Sequence, residues 1–184
     1  MSAMLLGSLD IAPSFESLAH PRPALPKAAR PVSPRSAALH AYATSQLGAE
    51  LIGSYGAGRG VHGSWLLLSG LEIHLGHSLL APDLMGWRRE HMPRLPRGSS
   101  GIALAPEWVC EVLSHPEERS RLLPLYAREG IPQVWLVDPE VRTLEVLQLD
   151  GRRYTLRALH SGTDTVRAEP FEALALSLRL LWAE

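Results

Sequence analysis

Cysteine and lysine are almost absent from this sequence of 184 residues. The only cysteine is Cys110, which excludes a disulfide framework and a multi-cysteine zinc site. Among the 18 lysines and arginines only Lys27 is a lysine, and it lies in a proline-rich stretch near the N-terminus. Any mechanism that requires a lysine in the folded core is therefore disfavoured.

Long apolar runs and a strong net charge are also lacking. A membrane helix needs roughly 20 apolar residues, and the longest candidates here, 65–68 and 174–182, are too short or interrupted by polar residues. The formal net charge of −1 excludes a globally basic nucleic-acid coat and leaves only a local basic patch as a candidate binding surface. The apolar start lacks a basic segment and a cleavage site, so we expect a cytoplasmic protein without a secretory signal.

The folded part of the chain is predicted to be a single domain over 34–184. Residues 1–33 carry five prolines with Ala and Ser between them, which predicts a flexible tail. Ser33-Pro34 and the apolar spacing that follows predict a helix over about 34–53. The glycine-rich segment 53–60 lacks the sequence of a phosphate-binding loop, and a flexible connection is favoured there.

Downstream of this segment, apolar residues recur at every second position, a pattern typical of strands. The predicted strands are 65–69, 72–75, 79–87, 108–114, 134–137, 142–149, 154–159 and 165–168. Glycine-containing turns join the first three, which favours antiparallel hairpins. A helix is predicted over 116–129, ended by Gly130, and a hairpin turn at Asp150-Gly151. The segment 171–182 is interpreted as a helix or an edge element.

Two acidic residues stand within predicted apolar strands. Asp83 lies in the strand 79–87, and Glu111 lies in the strand 108–114. A carboxylate among Val, Leu and Cys is costly unless it is paired, hydrogen-bonded or bound to a metal. Each acid taken singly fits an outward-facing position or a partner of an arginine, whereas the two together favour a site.

Glu72 is a third candidate. Alternation along 71–75 places Glu72 and His74 on one face of the predicted strand. If this polar face continues towards Asp83 on a neighbouring strand, three acids and His74 come together. The alternative is an amphipathic strand whose polar face is solvated.

Three segments in this order, 81–90, 105–114 and 125–139, resemble the Uma family of bacterial putative restriction endonucleases, within the PD-(D/E)xK nuclease superfamily. The resemblance extends over about 33–180. It implies an α/β fold with a restriction-endonuclease-like core, in which a mixed β-sheet is flanked by helices. It also implies a homodimer, since members of this family commonly pair.

The resemblance further implies a metal-dependent endonuclease that hydrolyses phosphodiester bonds in DNA. In such a core the Pro-Asp acid and the acid of Glu-Val-Leu-Ser bind a divalent metal, which assigns Asp83 and Glu111 as ligands of Mg²⁺ or Mn²⁺. Glu72 is then a candidate third catalytic acid.

The chain departs from the family pattern at the catalytic lysine. Tyr126 matches the family's tyrosine, and Leu122 stands four residues earlier, where the lysine belongs. Candidate substitutes are Arg119, Arg121 and His115. Arginine stays protonated, so it acts electrostatically but not as a base. The alternative function is therefore a catalytically degenerate, dimeric protein that binds nucleic acid or another partner.

Arginines crowd the segment between the two candidate metal ligands: Arg88, Arg89, Arg94 and Arg97. Guanidinium groups suit phosphate oxygens geometrically, so these residues are candidates for nucleic-acid binding. The alternative is that they are solvated or pair with Glu90.

Overall fold

The computed structural model describes residues 34–56, 64–76, 78–96 and 102–183, and the predicted tail 1–33 lies outside them. The two α-helices of the described ranges are α1 (Pro34–Leu51) and α2 (Glu117–Arg128). The strands are β1 (Trp65–Ser69), β2 (Ile73–Leu75), β3 (Ser78–Leu80), β4 (Leu84–Arg88), β5 (Trp108–Val112), β6 (Gln133–Asp138), β7 (Thr143–Asp150), β8 (Arg153–Ser161), β9 (Thr165–Val166) and β10 (Leu176–Ser177). None of these helices is long and apolar enough to cross a membrane.

Six strands form one mixed sheet in the order β1-β4-β5-β6-β7-β8. In this sheet β5 and β6 run parallel and are connected through α2, since a parallel pair requires a long crossover. The other neighbouring pairs are antiparallel. The pairs β2-β3 and β9-β10 form two small separate sheets. The predicted class, a mixed sheet with flanking helices, is confirmed.

Apolar side chains pack on both faces of the main sheet, and β5 is buried throughout. Trp108, Cys110 and Val112 face a core built with α1 and the C-terminal segment. Val109 faces a second core built with α2 and the β2-β3 hairpin. Because side chains alternate along a strand, Glu111 lies on the face of Val109, the face covered by α2.

Most predicted elements are present with small shifts of their ends, and two differ in kind. The predicted hairpin of the first two strands is wrong, because β1 pairs with β4 and β2 pairs with β3. The predicted strand 79–87 is divided into β3 and β4 around Pro82, which cannot donate to a strand ladder. The C-terminal segment contains β10 and a 3-10 helix, Leu178–Leu181. A π-helical turn at Ile52–Gly56 replaces the start of the predicted flexible segment, and 57–60 lie outside the described residues.

Candidate active site

Asp83 and Glu111 meet at one end of the main sheet, but only Glu111 lies within a strand, because Asp83 falls in the bend between β3 and β4. In the antiparallel pair β4-β5, Leu84 lies opposite Cys110. Asp83, directly before β4, therefore comes next to the last residues of β5. The backbone N–H of Val112 donates a 2.8 Å hydrogen bond to Asp83 Oδ2. Continuing the register of the β4-β5 pair by one residue places Asp83 beside Glu111, and the negative charge of Asp83 acts on the Glu111 carboxyl group.

Glu111 is the buried member of this pair. Only 9% of the residue is exposed, and the hydroxyl of Tyr126 in α2 donates a hydrogen bond to its Oε1. Burial, and next the negative charge of Asp83, raise the pKa of Glu111 to about 8, although the Tyr126 hydrogen bond opposes the shift. Burial therefore favours the neutral form of the Glu111 carboxyl group at neutral pH.

His40 of α1 is a third group beside Asp83 and Glu111, which we call the acid pair. The sequence pattern did not single out His40. Its Nε2 lies 2.9 Å from Asp83 Oδ1, and its Nδ1 lies 3.2 Å from Ser114 Oγ. The hydrogen bond to Asp83 raises the pKa of the imidazole against the opposing effect of burial, and the negative charges of Asp83 and Glu118 add to the rise. A basic side chain thus contacts the pair from the opposite helix to Tyr126.

The segment between β5 and α2 is held by both helices. Ser36 Oγ of α1 donates to the backbone oxygen of Ser114 at 3.2 Å. Glu118 Oε2 of α2 accepts from the backbone N–H groups of Ser114 and His115, at 2.8 and 3.3 Å. These contacts hold Ser114 beside His40.

Glu72 lies elsewhere in the fold. It is exposed and directly precedes β2. The strand neighbouring β2 is β3 and not β4, so sheet pairing does not carry its polar face onto the strand that follows Asp83. Its role as a third catalytic acid stays a prediction.

The first two arginines of the predicted cluster lie at the far end of β4 from Asp83. Arg88 ends β4, five residues after Asp83, which is about 16 Å along an extended strand. Its guanidinium lies 5.0 Å from the centre of the Trp65 ring, and its Nε lies 3.6 Å from Glu107. If Arg88 contacts nucleic acid as predicted, the contact lies on a surface distant from Asp83 and Glu111.

Arg89 lies beside Arg88 and has local partners of its own. Its guanidinium donates to the backbone oxygens of Pro93 and Gly56, at 2.9 and 3.3 Å. Arg94 is exposed, and Arg97 lies outside the described residues. Their role in nucleic-acid binding stays a prediction.

The position assigned to the family lysine belongs to the apolar core. Leu122 is partly buried and packs against the cluster on the α2 face of the sheet. Of the candidate substitutes, Arg119 forms an ion pair with Glu145 of β7, with NH2 2.9 Å from Oε2. His115 Nε2 is buried without a hydrogen-bond partner among the described residues. The basic group that contacts the acid pair is instead His40.

The oxygen donors of the acid pair suit a hard divalent cation. Among the described residues there is no group of three or more His, Cys, Asp and Glu side chains arranged to hold a metal. Mg²⁺ keeps several waters and takes one or two carboxylates together with substrate oxygens. Asp83 and Glu111 therefore fit a hydrated Mg²⁺ better than a fully enclosed structural metal.

Comparison with known proteins agrees with these features. The sequence model of the Uma2 family, described as putative restriction endonuclease, matches residues 29–180. The crystal structure of a putative nuclease belonging to DUF820 from Anabaena variabilis ATCC 29413 is similar with a TM-score of 0.62 and 20% sequence identity, over 78% of this chain and 80% of that chain. No curated protein matches the chain. The predicted resemblance and fold are confirmed.

Proposed function

The chain belongs to the Uma2 family of putative restriction endonucleases, and we propose that it is a divalent-metal-dependent endonuclease that hydrolyses phosphodiester bonds in DNA. The observation that carries the proposal is the placement of Asp83 beside Glu111 at the end of the β4-β5 pair, where Val112 N–H donates to Asp83 Oδ2. Two adjacent carboxylates ionise together only when an opposite charge compensates them. A divalent cation supplies that charge.

The residues of the chain have separate tasks in this proposal. Asp83 and Glu111 hold the ion, Val112 N–H and His40 fix the carboxylate of Asp83, and the Tyr126 hydroxyl fixes that of Glu111. A bound Mg²⁺ lowers the pKa of a water molecule and offsets charge on the attacked phosphate. In the hydrolysis, a water oxygen bonds to phosphorus and gives up one proton, one P–O ester bond breaks, and the leaving oxygen takes up a proton, so that one water is consumed for each bond broken.

DNA contact by the arginines is part of the proposal. Arg88 lies about 16 Å along β4 from Asp83. One strand of B-DNA advances by about 3.4 Å per nucleotide along the helix axis. Arg88 would therefore contact a phosphate about five base pairs from the hydrolysed bond, and Arg89, Arg94 and Arg97 are proposed to contact phosphates as well.

The second candidate function is a catalytically degenerate member that binds DNA or another partner as a homodimer. Leu122 favours it, because this apolar side chain packs in the core at the position of the family lysine. A positioned catalytic group of this kind contributes about 10²- to 10⁴-fold in rate. Metal binding depends on the carboxylates alone and is expected of both functions.

Calorimetric titration with Mn²⁺ tests the metal site. We expect wild type to bind Mn²⁺, and Asp83→Asn and Glu111→Gln, which keep the shape of each side chain, to lose binding. The matched control is Glu140→Gln, which removes an exposed carboxylate. A wild-type protein that does not bind Mn²⁺ contradicts the nuclease proposal.

Cleavage assays then separate the two candidate functions. Supercoiled plasmid and long DNA of high sequence complexity are incubated with Mn²⁺ and either wild type or Glu111→Gln. Cleavage by wild type alone supports the endonuclease. Mn²⁺ binding with no cleavage of either DNA supports the degenerate function.

A further inference from the structure

A chain of hydrogen bonds from three structural elements ends on Asp83. Ser114 follows β5, His40 lies in α1, and Asp83 precedes β4. His40 Nδ1 is 3.2 Å from Ser114 Oγ, and His40 Nε2 is 2.9 Å from Asp83 Oδ1. These residues are far apart in the sequence, so the contacts depend on the packing of α1 against this end of the sheet.

The direction of each hydrogen bond follows from what the groups can donate. An ionised carboxylate only accepts, so His40 Nε2–H donates to Asp83 Oδ1. In the neutral imidazole Nδ1 then accepts from the Ser114 hydroxyl. Asp83 Oδ2 accepts from Val112 N–H at 2.8 Å. Each oxygen of Asp83 thus has a fixed donor and keeps a lone pair for a further partner.

The helix that carries His40 is well anchored. Residues three, seven and eleven positions after His40 lie on the same side of α1. They are Ala43, Leu47 and Leu51, and each is at most 1% exposed. Ser36 Oγ of the same helix donates to the backbone oxygen of Ser114. His40 therefore approaches Asp83 from a packed helix face and not from a loop.

We propose that His40 is the positioning residue of the acid pair, which holds the Asp83 carboxylate in the orientation that binds a divalent cation, and that Ser114 in turn orients the imidazole. This inference rests on the proposed function, because it concerns the same cation. Hydrogen-bond partners of ligating carboxylates contribute about 10- to 100-fold to metal affinity.

The test is a Mn²⁺ titration of the full chain by calorimetry, with variants of both positioning groups. His40→Ala is expected to weaken Mn²⁺ binding by about 10- to 100-fold, and Ser114→Ala to weaken it by less. His40→Gln offers an amide N–H to Asp83 and is expected to restore most of the affinity. The control is His74→Ala, which removes an exposed histidine of β2 and leaves the affinity unchanged.

A second measurement reads the hydrogen bonds without any metal. The ¹⁵N NMR shifts of the His40 ring report which nitrogen carries the proton. At a pH where the imidazole is neutral, we expect the proton on Nε2 with Nδ1 as acceptor, and we expect Asp83→Ala to move the Nε2 shift towards that of the exposed His74. Because this readout needs no ion, it tests the His40–Asp83 contact independently of the nuclease proposal.

The outcomes are distinguishable. If wild type binds Mn²⁺ and His40→Ala binds it as tightly or more tightly, His40 does not position the ligand, and only this inference is overturned. If wild type binds no Mn²⁺, both the inference and the proposed function are overturned. Circular dichroism verifies that each variant folds. If His40→Ala does not fold, the Mn²⁺ affinity of Ser114→Ala decides whether these hydrogen bonds position Asp83.

Discussion

His40 and Asp83, 43 residues apart in the sequence, are joined by a 2.9 Å contact between an imidazole nitrogen and a carboxylate oxygen. The contact ties α1 to the start of β4. It also brings a basic side chain to Asp83 and Glu111, in a protein whose α2 carries Leu122 at the position that the resemblance assigns to a lysine. The chemistry at this end of the sheet is therefore governed by the charges of three groups, those of His40, Asp83 and Glu111.

The pH dependence of stability should reflect Glu111. Its pKa is raised by burial and by Asp83 to about 8 from an ordinary 4.5, so the folded state binds more protons than the unfolded state between these values. Stability then falls as pH rises from about 4.5 to about 8. Glu111→Gln removes this loss. At pH 9 its free energy of unfolding is expected to exceed that of wild type by on the order of a few kcal/mol, whereas at pH 4.5 it is not expected to exceed it.

Urea denaturation of the metal-free protein between pH 4.5 and 9 measures this difference. The raised pKa of His40 also makes stability fall above about pH 6.5. This decrease occurs in wild type and in Glu111→Gln alike, so it cancels when the two proteins are compared. Glu140→Gln, at an exposed position, is the control and should parallel wild type. Equal pH slopes for Glu111→Gln and wild type would show that Glu111 is ionised in the folded protein.

Tyr126→Phe should destabilise the fold through Glu111. The substitution removes the hydroxyl that donates to Glu111 Oε1 and leaves a buried carboxyl oxygen without that donor. We expect a loss of about 1–3 kcal/mol in the free energy of unfolding at pH 7. Urea denaturation measures the loss, and Tyr42→Phe, at a tyrosine that is 39% exposed, is the matched control. A loss no larger than that of the control contradicts the assigned hydrogen bond.

Leu122→Lys tests the lysine position that the resemblance assigns to α2 and the proposed nuclease activity. Leu122 lies one turn before Tyr126 on the same side of α2, and Tyr126 contacts Glu111. A lysine at this position can lay its aliphatic part along the apolar surface, one turn from the Tyr126 that contacts Glu111. We expect DNA cleavage with Mn²⁺ to rise by about 10²- to 10⁴-fold over wild type.

The control for this gain is Arg121→Lys, which introduces a lysine at an exposed neighbouring position. Cleavage by this variant should equal that of wild type. If Leu122→Lys folds, binds Mn²⁺ and gains no activity, the lysine position inferred from the family pattern is wrong.

Arg94→Ala tests the proposed DNA surface. Arg94 is exposed, so its loss should affect phosphate contacts more than folding. We expect weaker DNA binding and a decrease of about 1 in the slope of log affinity against log salt concentration. Fluorescence anisotropy at several salt concentrations measures both. The control is Arg152→Ala, at the exposed turn between β7 and β8. Equal effects of the two substitutions would indicate that Arg94 contributes only a non-specific positive charge to DNA binding.

Much of the architecture is readable from the sequence because it depends on local periodicity. The alternation around Trp108 and Cys110 predicted β5, and the apolar spacing after Pro34 predicted α1. The pairing of strands is not local. β4 pairs with β1 and β5, while β2 pairs with β3, and no pattern within 72–75 distinguishes these neighbours. The predicted approach of Glu72 to Asp83 depended on that choice.

The sequence by itself determined that a carboxylate occurs in an apolar strand, because Glu111 among Val, Leu and Cys conflicts with its surroundings wherever the strand packs. Only the tertiary structure decided which groups resolve that conflict. His40 lies among the alanines and polar residues of an ordinary amphipathic helix, and nothing in its neighbours marks it. Its contact with Asp83 arises from the packing of α1 on the sheet, and such a long-range contact leaves no periodic pattern in the sequence.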